Sequence, residues 1–195
     1  MTTSPDTRSG SASIETTDSA RPYSATWHAQ LKTTLGEAVC QRLGIYTIPD
    51  DLVTSVVIPV YNEQSTLLHC LERVLAVPIR KEIVLVDDAS TDGTRDILEA
   101  LGQTHPSDAD NEIRVFYHDH NQGKGAALKT AFEQVQGEVV IIQDADLEYD
   151  PTEYEKLLKP VIDFSADIVM GSRLVASPIT RVSYFWHRVG NRLIT

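Results

Sequence analysis

From Thr54 onward, short runs of β-branched residues alternate with segments whose apolar residues recur at helical spacing. This alternation predicts five strands, over residues 55–58, 82–86, 113–117, 138–142 and 167–170. Strands that alternate regularly with helices are typical of a sheet whose strands run mostly parallel. The sequence therefore predicts an α/β fold, with a mostly parallel sheet flanked by helices, in a domain over residues 51–195.

The first 50 residues have a different composition. Twelve of residues 1–26 are Ser or Thr and few are apolar, which predicts a disordered tail. Between Trp27 and Leu43 an apolar residue recurs every four positions. This spacing predicts one amphipathic helix, followed by a linker that ends at residue 50.

The chain is acidic, with a formal net charge of −11 at pH 7. Most of the excess lies in the domain, because residues 51–195 hold 23 acids and 13 bases. This charge argues against a nucleic-acid partner. A polyanionic substrate would need a cation between itself and these carboxylates, and a divalent metal ion is suited to that position.

Cysteine content and hydropathy indicate the compartment. Cys40 and Cys70 are too few for a disulfide framework, and they do not form a Cys-x-x-Cys pair. No apolar run approaches the length of about 18 residues that a membrane-spanning helix needs. The N-terminal residues also lack the apolar centre of a signal peptide. We therefore expect a cytoplasmic protein.

The segment Asp144-Ala145-Asp146 follows the fourth predicted strand after one residue, Gln143. Two carboxylates in the loop after a strand can converge on one hard cation, and Glu148 is a candidate third ligand. The alternative is that these acids solubilise the loop and cap the helix that starts near Pro151. Because the pair comes just after the four apolar residues 139–142, we favour the metal site.

Polar clusters also follow the second and third strands. Asp88, after the second strand, could accept a hydrogen bond from the ring N–H of a nucleobase. The polar residues 87–92 could equally cap the helix that follows them. The segment Asn121–Gly125 resembles a phosphate loop, because its glycines expose backbone N–H groups and Lys124 adds positive charge. Neither the Walker pattern nor the dinucleotide fingerprint is present. His118 and His120, beside this loop, are interpreted as surface residues.

Five motifs occur together in a recognisable order, over residues 59–63, 86–94, 121–125, 143–151 and 171–173. In this order and spacing, the sequence resembles family 2 glycosyltransferases, with their Rossmann-like GT-A fold. The similarity is greatest to the dolichyl-phosphate mannose and polyprenyl-phosphate glucose synthases, and it extends over about residues 54–195. The family's domain continues where this chain ends, so the resemblance implies a domain that is truncated at its C-terminus and a partial acceptor site.

The resemblance implies roles for individual residues. Those expected to bind the nucleotide sugar are Pro59, Tyr61, Asn62, Glu63, Val86, Asp88, Lys124, Gln143, Asp144, Ala145, Asp146 and Arg173. Those expected to hold Mg²⁺ or Mn²⁺ are Asp144, Asp146 and Glu148. The expected catalytic residues are Asp144, Asp146 and Arg173.

The implied activity is inverting transfer of mannose or glucose from GDP-mannose or UDP-glucose to a polyprenyl phosphate. A hydroxyl acceptor on a polysaccharide and an inactive nucleotide-sugar-binding fragment remain alternatives. A phosphohydrolase of the haloacid-dehalogenase type is disfavoured, because that class carries its Asp-x-Asp after the first strand. Residues 181–195 combine arginines with aromatic rings. This segment could be a helix packed against the rest of a larger fold, or it could make peripheral contact with the cytoplasmic face of a membrane.

Overall fold

The computed structural model describes residues 22–104, 111–163 and 165–171. The helices are α1 Ala25–Leu35, α2 Glu37–Arg42, α3 Leu67–Leu75, α4 Thr94–Thr104, α5 Lys124–Phe132 and α6 Tyr154–Ile162. The strands are β1 Thr54–Val60, β2 Lys81–Asp87, β3 Asn111–Tyr117 and β4 Val139–Ile142, and a 3₁₀ turn at Pro151–Glu153 precedes α6.

The four strands form one sheet in the order β3-β2-β1-β4, and every neighbouring pair is parallel. Thr54 at the start of β1 pairs with Lys81 of β2 and Val139 of β4. Because the strands start in register and run parallel, the loops that follow them leave from the same edge of the sheet. The structure confirms the predicted α/β fold with a parallel sheet.

The two central strands are buried along nearly their whole length, as expected for strands covered on both faces. On one face, Ile58 and Leu85 join a cluster that includes Leu67 of α3, Leu98 of α4 and Leu158 of α6. The other face is covered by α5 through a smaller cluster of apolar side chains: Val57, Val84, Val86, Ala127 and Ala131. Helices therefore flank the sheet on both sides.

Glu82 of β2 is a buried carboxylate near the amino ends of the strands, far along the sheet from the loops that follow them. It accepts hydrogen bonds from the Ser55 hydroxyl, the Arg114 guanidinium and the main-chain N–H groups of Gln136 and Gly137. Burial alone raises the pKa of Glu82, but these donors outweigh it and hold the pKa below its usual range. Glu82 thus joins β1, β2, β3 and the segment before β4.

The helix predicted between Trp27 and Leu43 is two helices, so the prediction of a single helix was wrong. Gly36 separates them with φ +82° and ψ 151°, a left-handed conformation that favours glycine. Its N–H still donates to the carbonyl of Lys32, which closes α1. The spacing of apolar residues continues across Gly36, and spacing alone does not reveal such a break.

The structure also describes residues 22–26, which the sequence assigned to the tail. The Tyr23 hydroxyl donates to the carboxylate of Glu155 on α6, and the Tyr46 hydroxyl donates to the Glu155 carbonyl. Burial, followed by the contact with Glu155, raises the pKa of Tyr23 to about 12. The N-terminal segment is therefore attached to α6. Residues 1–21 lie outside the described residues.

The fifth predicted strand does not form, because residues 167–170 pair with no strand among the described residues. Ile168 and Met170 are 81% and 88% exposed. A β-branched run becomes a strand only where a neighbouring strand supplies hydrogen bonds. Arg173 and the segment 181–195 lie outside the described residues. Within the described part of the chain, no helix has the length and apolarity needed to cross a bilayer.

We predict that Glu82→Gln lowers the free energy of unfolding by about 2–3 kcal/mol, because it removes a charged acceptor from four donors. Because its pKa is lowered, Glu82 stabilises the folded wild type at pH values above the usual pKa of a glutamate. This contribution is lost as the pH falls through the pKa that Glu82 has in the folded state. Urea unfolding at pH 7 and in the acid range measures both effects. Glu133→Gln, at an exposed position, is the control, and equal stability of the two variants would contradict the prediction.

Candidate active site

A cavity of about 410 Å³ lies where the loops leave the carboxyl ends of the strands. Its size suits a small-molecule ligand, and ligands of open α/β sheets bind at this edge. Eight residues that were predicted to bind a nucleotide sugar line it: Pro59, Tyr61, Glu63, Asp88, Lys124, Asp144, Ala145 and Asp146. Val60, Asn121 and Gly123 line it as well.

The loop after β1 is attached to the loop after β2 by hydrogen bonds through Asn62. The Asn62 N–H donates to the Ser90 hydroxyl at 2.9 Å, and its side-chain oxygen accepts from the Thr91 N–H at 2.8 Å. The next N–H, that of Glu63, donates to the Thr94 hydroxyl at 2.9 Å. Asn62 is absent from the cavity lining, and in this structure its side chain holds two loops together instead.

Asp88 connects the loop after β2 to the loop after β3. Its Oδ1 accepts from the Gln122 N–H at 2.9 Å and lies 2.7 Å from Nδ1 of His118, while Oδ2 accepts from the Gly123 N–H at 2.7 Å. Burial raises the pKa of Asp88, but these three donors outweigh it and hold the pKa below its usual range. Asp88 is therefore a carboxylate that fixes the phosphate-loop-like segment beside the cavity.

Lys124 and Asp144 form an ion pair across the cavity, with Nζ 2.5 Å from Oδ1. The Lys124 side chain is 56% exposed, whereas that of Asp144 is only 12% exposed. Lys124 is the first residue of α5, and the partial positive charge of a helix N-terminus adds to its own. Lys124 therefore offsets the charge of one of the four carboxylates that line the cavity, which are Glu63, Asp88, Asp144 and Asp146.

The buried side-chain amide of Gln143 hydrogen-bonds to the loop that carries Asp144. The side-chain amide of Gln143 donates to the Asp144 carbonyl at 2.9 Å, and its oxygen accepts from the Tyr154 hydroxyl at 2.7 Å. Gln143 is 1% exposed and does not line the cavity, so its role in ligand binding stays a prediction. Burial raises the pKa of Tyr154 far above its usual range, so the hydroxyl keeps the proton that it donates.

Three non-glycine residues at this edge of the sheet have a left-handed backbone. They are Asn62 with φ +56°, Ala89 with φ +60° and Leu147 with φ +65°. Such conformations cost of order 1–3 kcal/mol each and cluster at functional sites. Leu147 directly follows the second aspartate, and the Glu148 N–H donates back to Asp146 Oδ1 at 3.0 Å. The turn after Asp146 is therefore tightly folded.

The predicted metal ligands are only partly brought together. Asp144 and Asp146 both line the cavity, but Glu148 does not. Among the described residues, no three His, Cys, Asp or Glu side chains are grouped closely enough to hold a metal ion. Two carboxylates are nevertheless hard oxygen donors suited to Mg²⁺ or Mn²⁺. One of them already pairs with the ammonium of Lys124, so this position accommodates a cation.

Val86, which was also predicted to bind the nucleotide sugar, does not line the cavity. Its side chain is fully buried in the cluster with Ala127 and Ala131. Arg173 lies outside the described residues. The phosphate-loop-like composition of segment 121–125 indicated a binding segment, but a ligand-binding role was expected only of Lys124. The glycines and polar residues of this segment are the signal that could have identified Asn121 and Gly123.

Comparison with known proteins gives one family. Residues 55–191 match glycosyl transferase family 2. An undecaprenyl-phosphate 4-deoxy-4-formamido-L-arabinose transferase of Pseudomonas syringae is 43% identical over 109 residues, which cover 54% of this chain and 31% of the relative. The enzyme of the same name from Pseudomonas aeruginosa is 37% identical over 150 residues, or 75% of this chain and 41% of the relative.

Among solved structures, the mannosyltransferase PcManGT from Pyrobaculum calidifontis, in complex with GDP-Man and Mn²⁺, is 33% identical with a TM-score of 0.48. The match covers 54% of this chain and 31% of that protein. The chain thus spans between about a third and two fifths of the length of the curated relatives that it matches.

We predict that Tyr154→Phe lowers the free energy of unfolding by about 1–2 kcal/mol, because the buried oxygen of Gln143 loses its donor. Amides in the loop 144–149 should also exchange faster with solvent. Chemical unfolding and hydrogen exchange measure the two effects. Tyr117→Phe is the control, because its ring can remain against Arg95. Loop exchange that is unchanged in Tyr154→Phe would show that this hydroxyl does not support the loop.

Proposed function

Because the chain belongs to glycosyl transferase family 2, we propose that it binds a nucleotide-diphosphate sugar in this cavity and transfers the sugar to a polyprenyl phosphate. The observation that carries the proposal is that Asp144, Asp146 and Lys124 line one cavity at the carboxyl edge of a parallel sheet. The names of the relatives, which are undecaprenyl-phosphate sugar transferases, support the polyprenyl acceptor.

The diphosphate of the donor would lie against the N-terminus of α5. Gly123 and Lys124 line the cavity there, so a helix N-terminus and an ammonium group face the same ligand. Both favour phosphate groups over neutral ligands. Lys124 can also stabilise the negative charge that develops on the leaving nucleoside diphosphate.

Asp144 and Asp146 would hold a divalent metal ion, Mg²⁺ or Mn²⁺. Their carboxylates line the cavity, and such a site suits a hard cation. When bound, the ion supplies Lewis-acid stabilisation to the diphosphate leaving group. Asp144 would also keep Lys124 close to the diphosphate through their ion pair. Glu148 and Arg173 remain proposed contributors, as a third ligand and a diphosphate-binding cation.

The nucleobase would lie against Asp88. An ionised carboxylate has about four positions that accept hydrogen bonds, and the three protein donors leave about one of them on Oδ2. The ring N–H of uracil or guanine can donate to that position, so UDP and GDP sugars are both compatible with Asp88. Tyr61 is 47% exposed at the same cavity, and its ring is available to contact the nucleoside.

A phosphate acceptor requires no general base, because it is already an anionic nucleophile at neutral pH. Its oxygen would attack the anomeric carbon opposite the leaving diphosphate and invert the configuration. The task of the protein is then positioning and charge neutralisation. Since a polyprenyl phosphate is held in a bilayer, we propose that the protein works in the cytoplasm at a membrane surface, with residues 181–195 in contact with lipid.

We predict that Asp146→Asn abolishes metal-dependent donor binding and lowers turnover at least about a hundredfold, the scale expected for loss of a key electrostatic contact. Calorimetric titration with GDP-mannose and with UDP-glucose, each with Mn²⁺ and then with EDTA, measures binding. We expect one of the two donors to bind only when Mn²⁺ is present. Transfer to undecaprenyl phosphate measures turnover.

The matched control is Asp163→Asn, because Asp163 pairs with Lys159 on the surface of α6 and is absent from the cavity lining. It should bind the donor as the wild type does. Near-normal binding by Asp146→Asn would contradict the metal assignment. Wild-type protein that binds neither donor in the presence of Mn²⁺ would contradict the proposed function.

A further inference from the structure

His118 follows the last residue of β3 and is only 8% exposed, whereas His120, two residues later, is exposed. Both histidines were interpreted as surface residues on the sequence alone. In the structure His118 remains part of the sheet edge. Its main-chain N–H donates to the Asp87 carbonyl at 2.8 Å, which adds one hydrogen bond to the pairing of β2 with β3. This bond fixes the backbone of His118 beside the end of β2.

Both nitrogens of the His118 ring have partners. Nδ1 lies 2.7 Å from Asp88 Oδ1, and Nε2 lies 2.9 Å from the Thr130 hydroxyl on α5. An ionised Asp88 can only accept, so Nδ1 carries the proton and donates it. In the neutral ring Nε2 then accepts from Thr130, whose hydroxyl can donate. The pair of contacts therefore fixes both the orientation and the tautomer of the ring.

The hydrogen-bond partners of His118 lie at the end of β2, in the loop after β2 and on α5. Asp88 follows β2, and its carboxylate also accepts from the N–H groups of Gln122 and Gly123 in the loop after β3. Thr130 lies in the second half of α5, and Lys124 begins that helix. The imidazole is thus inserted between the carboxylate that faces the cavity and the helix that presents Lys124 to it.

We propose that His118 is a positioning residue for donor binding, which holds the Asp88 carboxylate and, through it, the segment of Gly123 and Lys124. This inference rests on the proposed function, since the ligand whose binding it affects is the nucleotide-diphosphate sugar. The His118 ring occupies one of the two acceptor positions on Oδ1 and so sets the rotation of the carboxylate. That rotation decides which way the remaining position on Oδ2 faces.

Removing the imidazole should loosen the loop without removing any residue that lines the cavity. In His118→Ala, Asp88 loses its side-chain donor and α5 loses its link to the sheet edge through Thr130. We expect the amides of Gln122 and Gly123 to exchange with solvent about tenfold faster, as local opening becomes easier. We also expect affinity for the donor to fall about tenfold in the presence of Mn²⁺.

Two variants test the individual contacts. His118→Asn places an amide donor close to the position of Nδ1, so it should restore slow exchange at Gln122 and Gly123 and most of the donor affinity. Thr130→Val removes only the partner of Nε2 and should have a smaller effect in the same direction. His120→Ala is the matched control, since this exposed histidine lies in the same loop, and both measurements should match the wild type.

Hydrogen exchange is measured at individual amides by NMR. Donor affinity is measured by calorimetry in the presence of Mn²⁺, with the sugar nucleotide, GDP-mannose or UDP-glucose, that binds the wild type. Amides of β1 serve as a reference for global unfolding, and we expect them to be unchanged. Faster exchange at Gln122 and Gly123 that His118→Asn reverses would support the inference. Unchanged exchange in His118→Ala would overturn it and leave the proposed function intact. If His118→Ala does not fold, unchanged exchange in Thr130→Val would overturn it instead.

If the wild type binds neither sugar nucleotide, the proposed function fails, and the part of the inference that concerns the donor fails with it. The exchange measurement would still decide whether His118 positions the loop. A His118→Ala protein with faster exchange but full donor affinity would also overturn the role in donor binding. The two failures are therefore distinguishable.

Discussion

The parallel pairing of β1 with both β2 and β4 is the constraint on which the cavity depends. The hydrogen bonding between these strands continues one residue past the strand ends. The N–H of Asp88 donates to the Val60 carbonyl, and the N–H of Gln143 donates to the Val57 carbonyl. The first residues of two loops are therefore fixed by the sheet itself. A change in register would move these side chains to the opposite face, since successive residues in a strand alternate between faces.

Carboxylates have different roles at the two ends of this sheet, and the difference lies in how many of their acceptor positions the protein fills. Glu82, at the amino ends, accepts four hydrogen bonds from neighbouring elements and is closed to ligands. Asp88 accepts three and still lines the cavity. Asp144 is paired with a lysine that is half exposed. Lys124 thus offsets part of the negative charge of the cavity lining.

The alternation of strands and helices predicted the parallel α/β fold, and the resemblance to a family implied eight of the residues that line the cavity. Two predictions failed because they depended on features that the pattern of apolar residues does not show. Residues 167–170 have strand-like composition but no strand beside them among the described residues. The break at Gly36 is a single backbone angle within a continuous pattern of apolar residues.

The amino-acid sequence by itself determined which side chains reach the carboxyl edge of the sheet, because strand order and loop position are properties of the chain. Only the tertiary structure decided what those side chains do there. Gln143 and His118 follow strands, as Asp144 and Asp88 do, yet they are turned inward by Tyr154 of α6 and Thr130 of α5. The physical reason is that a buried polar group must find a hydrogen-bond partner, and these partners come from helices that follow later in the chain.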